Sequence, residues 1–294
     1  MLNKLGFILL FFLCSKVALT QESFEYVGAI NLNDTILIPY KVKFFENKGS
    51  VSGYSITDIG GNHETQSNIF GEYDRKEKEL NFRETNIVYT KSPITQKDFC
   101  FLNVTVKKFQ LDKTKNFKTK FVGLFSDNTK CIDGEILMNS SERLQDRMER
   151  LNKKINKSKR IPDSIKQKLN LRKLMDSLSM NVLKKDETLS LFAKSDKIKL
   201  TLYDGGKEDG DKIAITVNGK YMLSNYEAKN EKKIVLINIV DSITSVKIKA
   251  LNEGLIAPNT VVVEIEDGKN SIKALSNLKK GETTQVHILR VLEK

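Results

Sequence analysis

Tryptophan is absent from the 294 residues, histidine occurs twice and cysteine three times. This scarcity narrows the chemistry. Zinc sites need clustered histidine and cysteine ligands, and His63 and His287 are far apart in the chain. His287 alternates with Val286 and Ile288 and reads as a strand residue, while His63 sits in a Gly-Gly-Asn turn beside Glu64. No Gly-x-Ser-x-Gly elbow, P-loop or dinucleotide fingerprint occurs, so no motif points to an enzyme. Beyond residue 20 no run approaches the roughly 18 apolar residues of a membrane-spanning helix, and none is expected in the mature chain. Apolar residues make up only 39% of the sequence, which suggests modest cores and not disorder.

The chain opens with an export signal. Lys4 precedes LGFILLFFL at 5–13, an apolar run too short to span a bilayer, and Ala18-Leu19-Thr20 offers a cleavage site. Residues 1–20 therefore read as a signal peptide. The mature protein is expected in the periplasm, at the cell surface or secreted. Cys14 is a poor lipidation site, because Phe12 and Leu13 stand where small residues are favoured. Removing the leader leaves Cys100 and Cys131, and two cysteines in an oxidising compartment most simply form a disulfide.

The net charge of +12 sits in one stretch. Residues 142–185 carry 14 Lys or Arg against 5 Asp or Glu, whereas 21–141 carry 16 of each and 186–294 carry 17 and 16. The spacing predicts two helices there. Ser141 is a candidate N-cap, and Leu144, Met148, Leu151 and Ile155 follow on one face. Pro162 interrupts, and a second stripe runs through Ile165, Leu169, Met175, Leu178 and Val182. Arg143, Arg147, Arg150, Lys153, Lys154 and Lys157 lie around the first stripe. They either solvate a linker or form a footprint for a polyanion, such as an anionic envelope component or glycan. Neither stripe contains an aromatic residue, which disfavours membrane insertion and base stacking and so specific nucleic-acid binding.

On either side of this connector the pattern changes to β. Residues 35–45 alternate as Ile36, Ile38, Tyr40, Val42 and Phe44, a half-buried strand. Further strands are expected at 51–56, 67–73, 79–89, 99–109, 120–125 and 134–137. About eight strands in up-and-down order predict a small closed or nearly closed antiparallel barrel over 21–139, with a sandwich of the same strands as the alternative. Tyr54, Glu64 and Glu84, with Ser55, Asn68 and Tyr89, are candidate ligand groups inside the barrel or at its mouth. Residues 188–294 show short strands with frequent turn signals. Asn218-Gly219 is a hairpin signal, since both residues accept φ > 0. This region is expected to form an immunoglobulin-like β-sandwich.

The densest polar cluster is the run 204–211, DGGKEDGD. Asp204, Glu208, Asp209 and Asp211 could supply oxygens to Ca²⁺, although the spacing is not that of an EF-hand. Equally, Asp and Gly are ordinary turn formers. No other cofactor is indicated.

Two segments carry a resemblance. Gly53-Tyr54-Ser55-Ile56-Thr57-Asp58, Glu64-Thr65-Gln66-Ser67-Asn68-Ile69-Phe70-Gly71 and Phe99-Cys100-Phe101 form one. The run 204–219 with Asn252-Glu253-Gly254-Leu255-Ile256-Ala257-Pro258-Asn259-Thr260 forms the other. Together they resemble regions of uncharacterised exported proteins of Bacteroidota with two β-domains. The resemblance implies an exported envelope protein and carries no catalytic residues.

The sequence thus leads to a mostly β protein: signal peptide 1–20, barrel-like domain 21–139, basic helical connector 140–187 and sandwich 188–294. A non-enzymatic envelope protein acting in binding or adhesion is the first expectation. A small molecule or carbohydrate held in the barrel is the alternative, and a carboxylate hydrolase ranks last because it needs two carboxylates at a fixed separation.

Overall fold

The computed structural model describes residues 22–32, 35–158, 160–162, 181–268 and 270–291. The leader read at 1–20 and the second helical stripe, except Val182, lie outside them. Strands dominate the described residues, with one helix.

Eight strands precede the helix: β1 (Ser23–Asn31), β2 (Leu37–Asn47), β3 (Ser50–Thr57), β4 (Thr65–Asp74), β5 (Glu79–Thr90), β6 (Phe101–Val106), β7 (Asn116–Leu124) and β8 (Lys130–Ser140). Each pairs antiparallel with the next. β8 returns to β1, with Tyr26 opposite Ser140 and Ile30 opposite Ile136, so the barrel is closed. Alternation in the sequence missed β1, because Gly28 interrupts the inward row of Tyr26 and Ile30. That glycine is required: a Cβ would collide with the Leu137 carbonyl oxygen of β8.

Side chains fill the lumen. Tyr26, Tyr40, Val42, Phe44, Ile69, Leu80, Phe82, Ile136 and Met138 are buried in one cluster. Phe109, from the loop after β6, lies 5.8 Å from both the Tyr26 and Phe117 rings. A barrel of this size is narrow enough for its own side chains to fill it.

The disulfide Cys100–Cys131 is formed, with Cα atoms 6.1 Å apart, and ties the entry to β6 to the start of β8. Gly123 of β7 passes beneath it, and a Cβ there would meet Cys100 Sγ.

Helix α1 (Ser141–Lys157) leaves the barrel directly from β8. Its N-cap is Ser140, not Ser141: Ser140 Oγ accepts from the Arg143 N–H at 3.3 Å. Ser141 instead donates its hydroxyl to Glu25 Oε1 at 2.9 Å, pinning the first turn to β1. Lys154 and Lys157 in the last turn suit the negative end of the helix dipole. No residue of α1 is buried.

Ten strands follow: β9 (Asn181–Leu183), β10 (Thr188–Ala193), β11 (Lys197–Asp204), β12 (Lys212–Val217), β13 (Lys220–Glu227), β14 (Lys233–Asn238), β15 (Ile243–Ala250), β16 (Val261–Glu266), β17 (Ser271–Ser276) and β18 (Thr283–Arg290). β9 corrects the connector reading. Val182 does not end a helical stripe but sits in a strand, paired parallel with Leu275 of β17. The strands make two layers, β13-β12-β15-β18-β10 and β14-β11-β16-β17-β9. Ile198, Leu200 and Leu202 of β11 meet Ile213, Ile215, Val246, Ile248, Val286 and Ile288 in one core. Asn218 and Gly219 turn the β12–β13 hairpin at φ 48° and 80°.

The two regions are joined through β5. The β4–β5 register shifts around Ser67. Past that irregularity β5 leaves β6, and Tyr89 and Thr90 pair with Leu191 and Ser190 of β10. Val88 and Tyr89 thereby enter the core of the layered region. Ile87, Phe101 and Phe192 form a small cluster at the junction.

Candidate functional site

The fold places a cleft of about 410 Å³ between the outer wall of the barrel and the β9/β17 end of the second layer. That volume is in the range of small-ligand sites. Period-two alternation builds its floor. Tyr40, Val42 and Ser55 point into the barrel, so their neighbours Lys41, Tyr54 and Ile56 point out. Lys41, Ile56, Gln66 and Tyr89 stand in register across β2, β3, β4 and β5. Tyr54 and Asn68 pair in the adjacent row. Asn181, Asn270, Ser271, Ile272 and Lys273 face them from the other region.

Two of the three charged side chains lining this cleft, Lys41 and Glu64, are engaged within the protein. Lys41, although buried, forms an ion pair with Glu25 at 3.2 Å. Lys273 lies 3.9 Å from Glu264. Glu64 is buried, accepts the Tyr89 hydroxyl at 2.9 Å on Oε1 and receives the Gly60 N–H on Oε2. Burial, then the Glu64 charge, holds the Tyr89 phenol well above its ordinary pKa. Burial, then Glu25, raises the Tyr54 phenol. Both phenols are therefore neutral donors at neutral pH.

Asn181 is the exception. It is 4% exposed, and among the described residues neither its amide nitrogen nor its oxygen has a partner in good hydrogen-bond geometry; its nearest polar neighbour is the Tyr89 hydroxyl, whose pKa it lowers as a donor does. Buried amides without partners are rare and costly.

A strap holds this end of the cleft. The buried Lys91 ammonium donates to the Val182 carbonyl at 2.8 Å and pairs with Glu187 at 3.4 Å. β9 is thereby fixed against the barrel, with Asn181 next to the strap.

The residues expected to hold a barrel ligand thus part company. Tyr54 and Glu64 meet in the cleft, on the outside of the barrel. Glu84 is in the lumen, with Ser55. Its Oε1 accepts from Tyr40 Oη at 3.0 Å and Ser55 Oγ at 2.6 Å, and its Oε2 from the Leu102 N–H at 2.9 Å. Burial raises the Glu84 pKa, and these three bonds partly offset the rise. Lys41, Gln66 and Asn181 were missed by sequence reading. Only the outward phase of the β2 and β4 alternation could have indicated the first two.

In the acidic loop, Asp204 Oδ1 accepts the Gly206 N–H at 2.8 Å and Glu208 Oε1 the Asn230 N–H at 2.6 Å. Asp209 Oδ2 takes the Ile256 N–H at 2.9 Å and Asp211 Oδ2 the Thr260 N–H at 2.6 Å. Among the described residues, Asp209 Oδ1 and Asp211 Oδ1 are buried without a partner, and burial, then Asp209 and Asp204, raises the Asp211 pKa. Among the described residues no group of three or more His, Cys, Asp or Glu is placed to hold a metal ion.

The basic residues of α1 face solvent. Arg147, Arg150, Lys153, Lys154 and Lys157 are exposed. Arg143 donates to Asn116 Oδ1, and Arg150 Nε to the Asp146 carbonyl at 3.1 Å. His63 Nδ1 lies 2.9 Å from Ser92 Oγ, also at the surface. Comparison with family models, curated proteins and solved structures finds no match to this chain.

Proposed function

We propose that this chain is an exported, non-enzymatic binding protein whose small polar ligand occupies the cleft between the barrel wall and the β9/β17 layer. The observation that carries the reading is Asn181. A buried amide with both ends unpartnered is a poor structural element and a good recognition element, because a ligand supplies the missing bonds. Tyr54, Gln66 and Asn68 line the same cleft with further donors and acceptors. The filled lumen argues against a ligand inside the barrel. The apolar leader and the Cys100–Cys131 bridge support export to an oxidising compartment. We read the two five-strand layers as a sandwich of immunoglobulin-like kind, a reading supported by their shared core and short turns.

Titration calorimetry of the mature protein against a panel of small metabolites, glycans and peptides tests this reading. A panel member should bind the wild type and bind Tyr54→Phe and Gln66→Leu at least tenfold more weakly. A ligand that binds all three equally lies outside the cleft and refutes the assignment.

A second reading keeps α1 as a contact for an anionic envelope component. Five exposed cations on a helix with no buried residue support it. Charge reversal at Arg147, Arg150 and Lys154 should abolish salt-sensitive binding to anionic vesicles. Vesicle binding unchanged by that reversal excludes α1 as the contact.

A further inference from the structure

We propose that the ligand of the cleft is an uncharged, hydroxyl-rich molecule, a saccharide of one or a few residues, bridged through two neighbouring hydroxyls by the Asn181 amide. The inference rests on the cleft being the binding site and adds the chemical class of its occupant.

Charge comes first. In the buried part of the cleft an anion needs a cation with bonding capacity to spare, and a cation needs a spare carboxylate. Lys41 is engaged there by Glu25, and Glu64 by Tyr89 and Gly60. Lys273, half exposed and 3.9 Å from Glu264, is the lining cation that keeps donors to spare. A charged ligand beside Lys41 and Glu64 would have to compete with a built ion pair or hydrogen-bonded carboxylate. An uncharged ligand leaves both intact.

The remaining polar groups are carboxamides and phenols. Gln66, Asn68, Asn181 and Asn270 are the amides, Tyr54 and Tyr89 the phenols, and Ser271 adds a hydroxyl. A carboxamide presents a donor and an acceptor in one plane. A vicinal diol presents the same pair, since each hydroxyl both donates and accepts. One amide can therefore satisfy two neighbouring ring hydroxyls and be satisfied by them. Asn181 has both ends available for this match. A molecule with only acceptors would leave its oxygen orphaned, and one with only donors would leave its nitrogen orphaned.

Apolar surface alternates with these groups. Ile56, Ile59 and Ile272 line the same space. A pyranose ring has this dual character, with C–H faces between its hydroxyls, and the Tyr54 ring offers a plane for one such face. The size of the cleft suits a mono- or disaccharide.

The test is calorimetric titration of the mature protein with neutral mono- and oligosaccharides, the same glycans carrying carboxylate or sulfate, and free amino acids, each at low and high salt. Wild type should bind a neutral saccharide with an affinity that changes less than twofold between the salt conditions. Asn181→Leu should weaken it at least tenfold. Tyr54→Phe, which removes one hydroxyl and no bulk, should also weaken it at least tenfold. Arg147→Glu with Lys154→Glu should leave it unchanged. Folding of each variant is verified by its thermal transition, and Gln66→Leu stands in if Asn181→Leu fails to fold. Binding confined to charged glycans or amino acids, steeply salt-dependent and lost in the cleft variants, overturns the saccharide while keeping the cleft. Saccharide binding indifferent to every cleft variant, or no binding by any class, overturns both.

Discussion

Replacing Asn181 with leucine should make the ligand-free protein more stable. The side chain is 4% exposed, and its amide nitrogen and oxygen both lack partners. Leucine has nearly the same shape without either polar atom. Each buried, unsatisfied donor or acceptor costs about 1–3 kcal/mol. Leucine's extra methyl character adds apolar burial, while any bond that a trapped water supplies to Asn181 reduces the gain. A net increase of about 2 kcal/mol is expected from relieving these two groups. For a chain of this size that is a rise in Tm of roughly 4–8 °C. Urea denaturation and differential scanning calorimetry of mature wild type and Asn181→Leu, without ligand, measure it directly. The same substitution should abolish ligand binding, so stability and affinity should move in opposite directions. Asn181→Leu less stable than wild type by about 1 kcal/mol or more would show that the amide is satisfied in solution, and the argument from an orphaned group would fail.

Three further outcomes follow from the same structure. Glu84→Ala strands the Tyr40 and Ser55 hydroxyls and the Leu102 N–H inside the barrel and should destabilise by about 3 kcal/mol or more in chemical denaturation. Glu84→Gln can keep all three bonds, because both hydroxyls can turn to accept. Burial raises the folded-state Glu84 pKa, so its contribution is complete below the ordinary carboxylate range and is lost as pH rises through the raised value. Glu84→Gln should therefore flatten the decline of stability between weakly acidic and neutral pH, and an unchanged pH profile would contradict the desolvation argument. Cys100→Ser should lower stability by about 3–4 kcal/mol, the usual effect of opening a loop of this length; alkylation of both cysteines in the denatured, unreduced wild type would show the bridge absent. Lys91→Met removes the ammonium from Val182 O and Glu187 and should cost about 2–3 kcal/mol and raise amide exchange in β9; unaltered exchange there would mean that β9 is held by β17 alone.

The barrel was legible because each long strand repeats with period two and ends in a turn residue. Tyr40, Val42 and Phe44 gave both the existence and the inward face of β2. β1 escaped because a glycine holds one of its three inward places. Closure was legible only as closed or nearly closed, since it depends on β8 reaching β1 more than 100 residues away in sequence. The candidate groups were half legible. Tyr54 and Glu64 were chosen as polar residues near strand ends, but the parity that sends Ser55 inward sends Tyr54 outward. Asn181 gave no signal, because its importance comes from its neighbours: β9 is three residues long and is defined by Lys91 and β17. The acidic run was legible as a turn, since each of its four carboxylates holds a backbone amide; the Ca²⁺ reading of the same run rests on composition alone.

The departure of β5 from β6 to join β10 bears on modularity. A strand whose two ends belong to different regions cannot be cut without leaving a raw edge. Residues 21–139 expressed alone would expose the Tyr89–Thr90 end of β5, and 188–294 alone would lose Val88 and Tyr89 from its interior. The chain is divided in composition but not in folding units: truncation at the basic segment should yield two halves that are each less soluble than the whole.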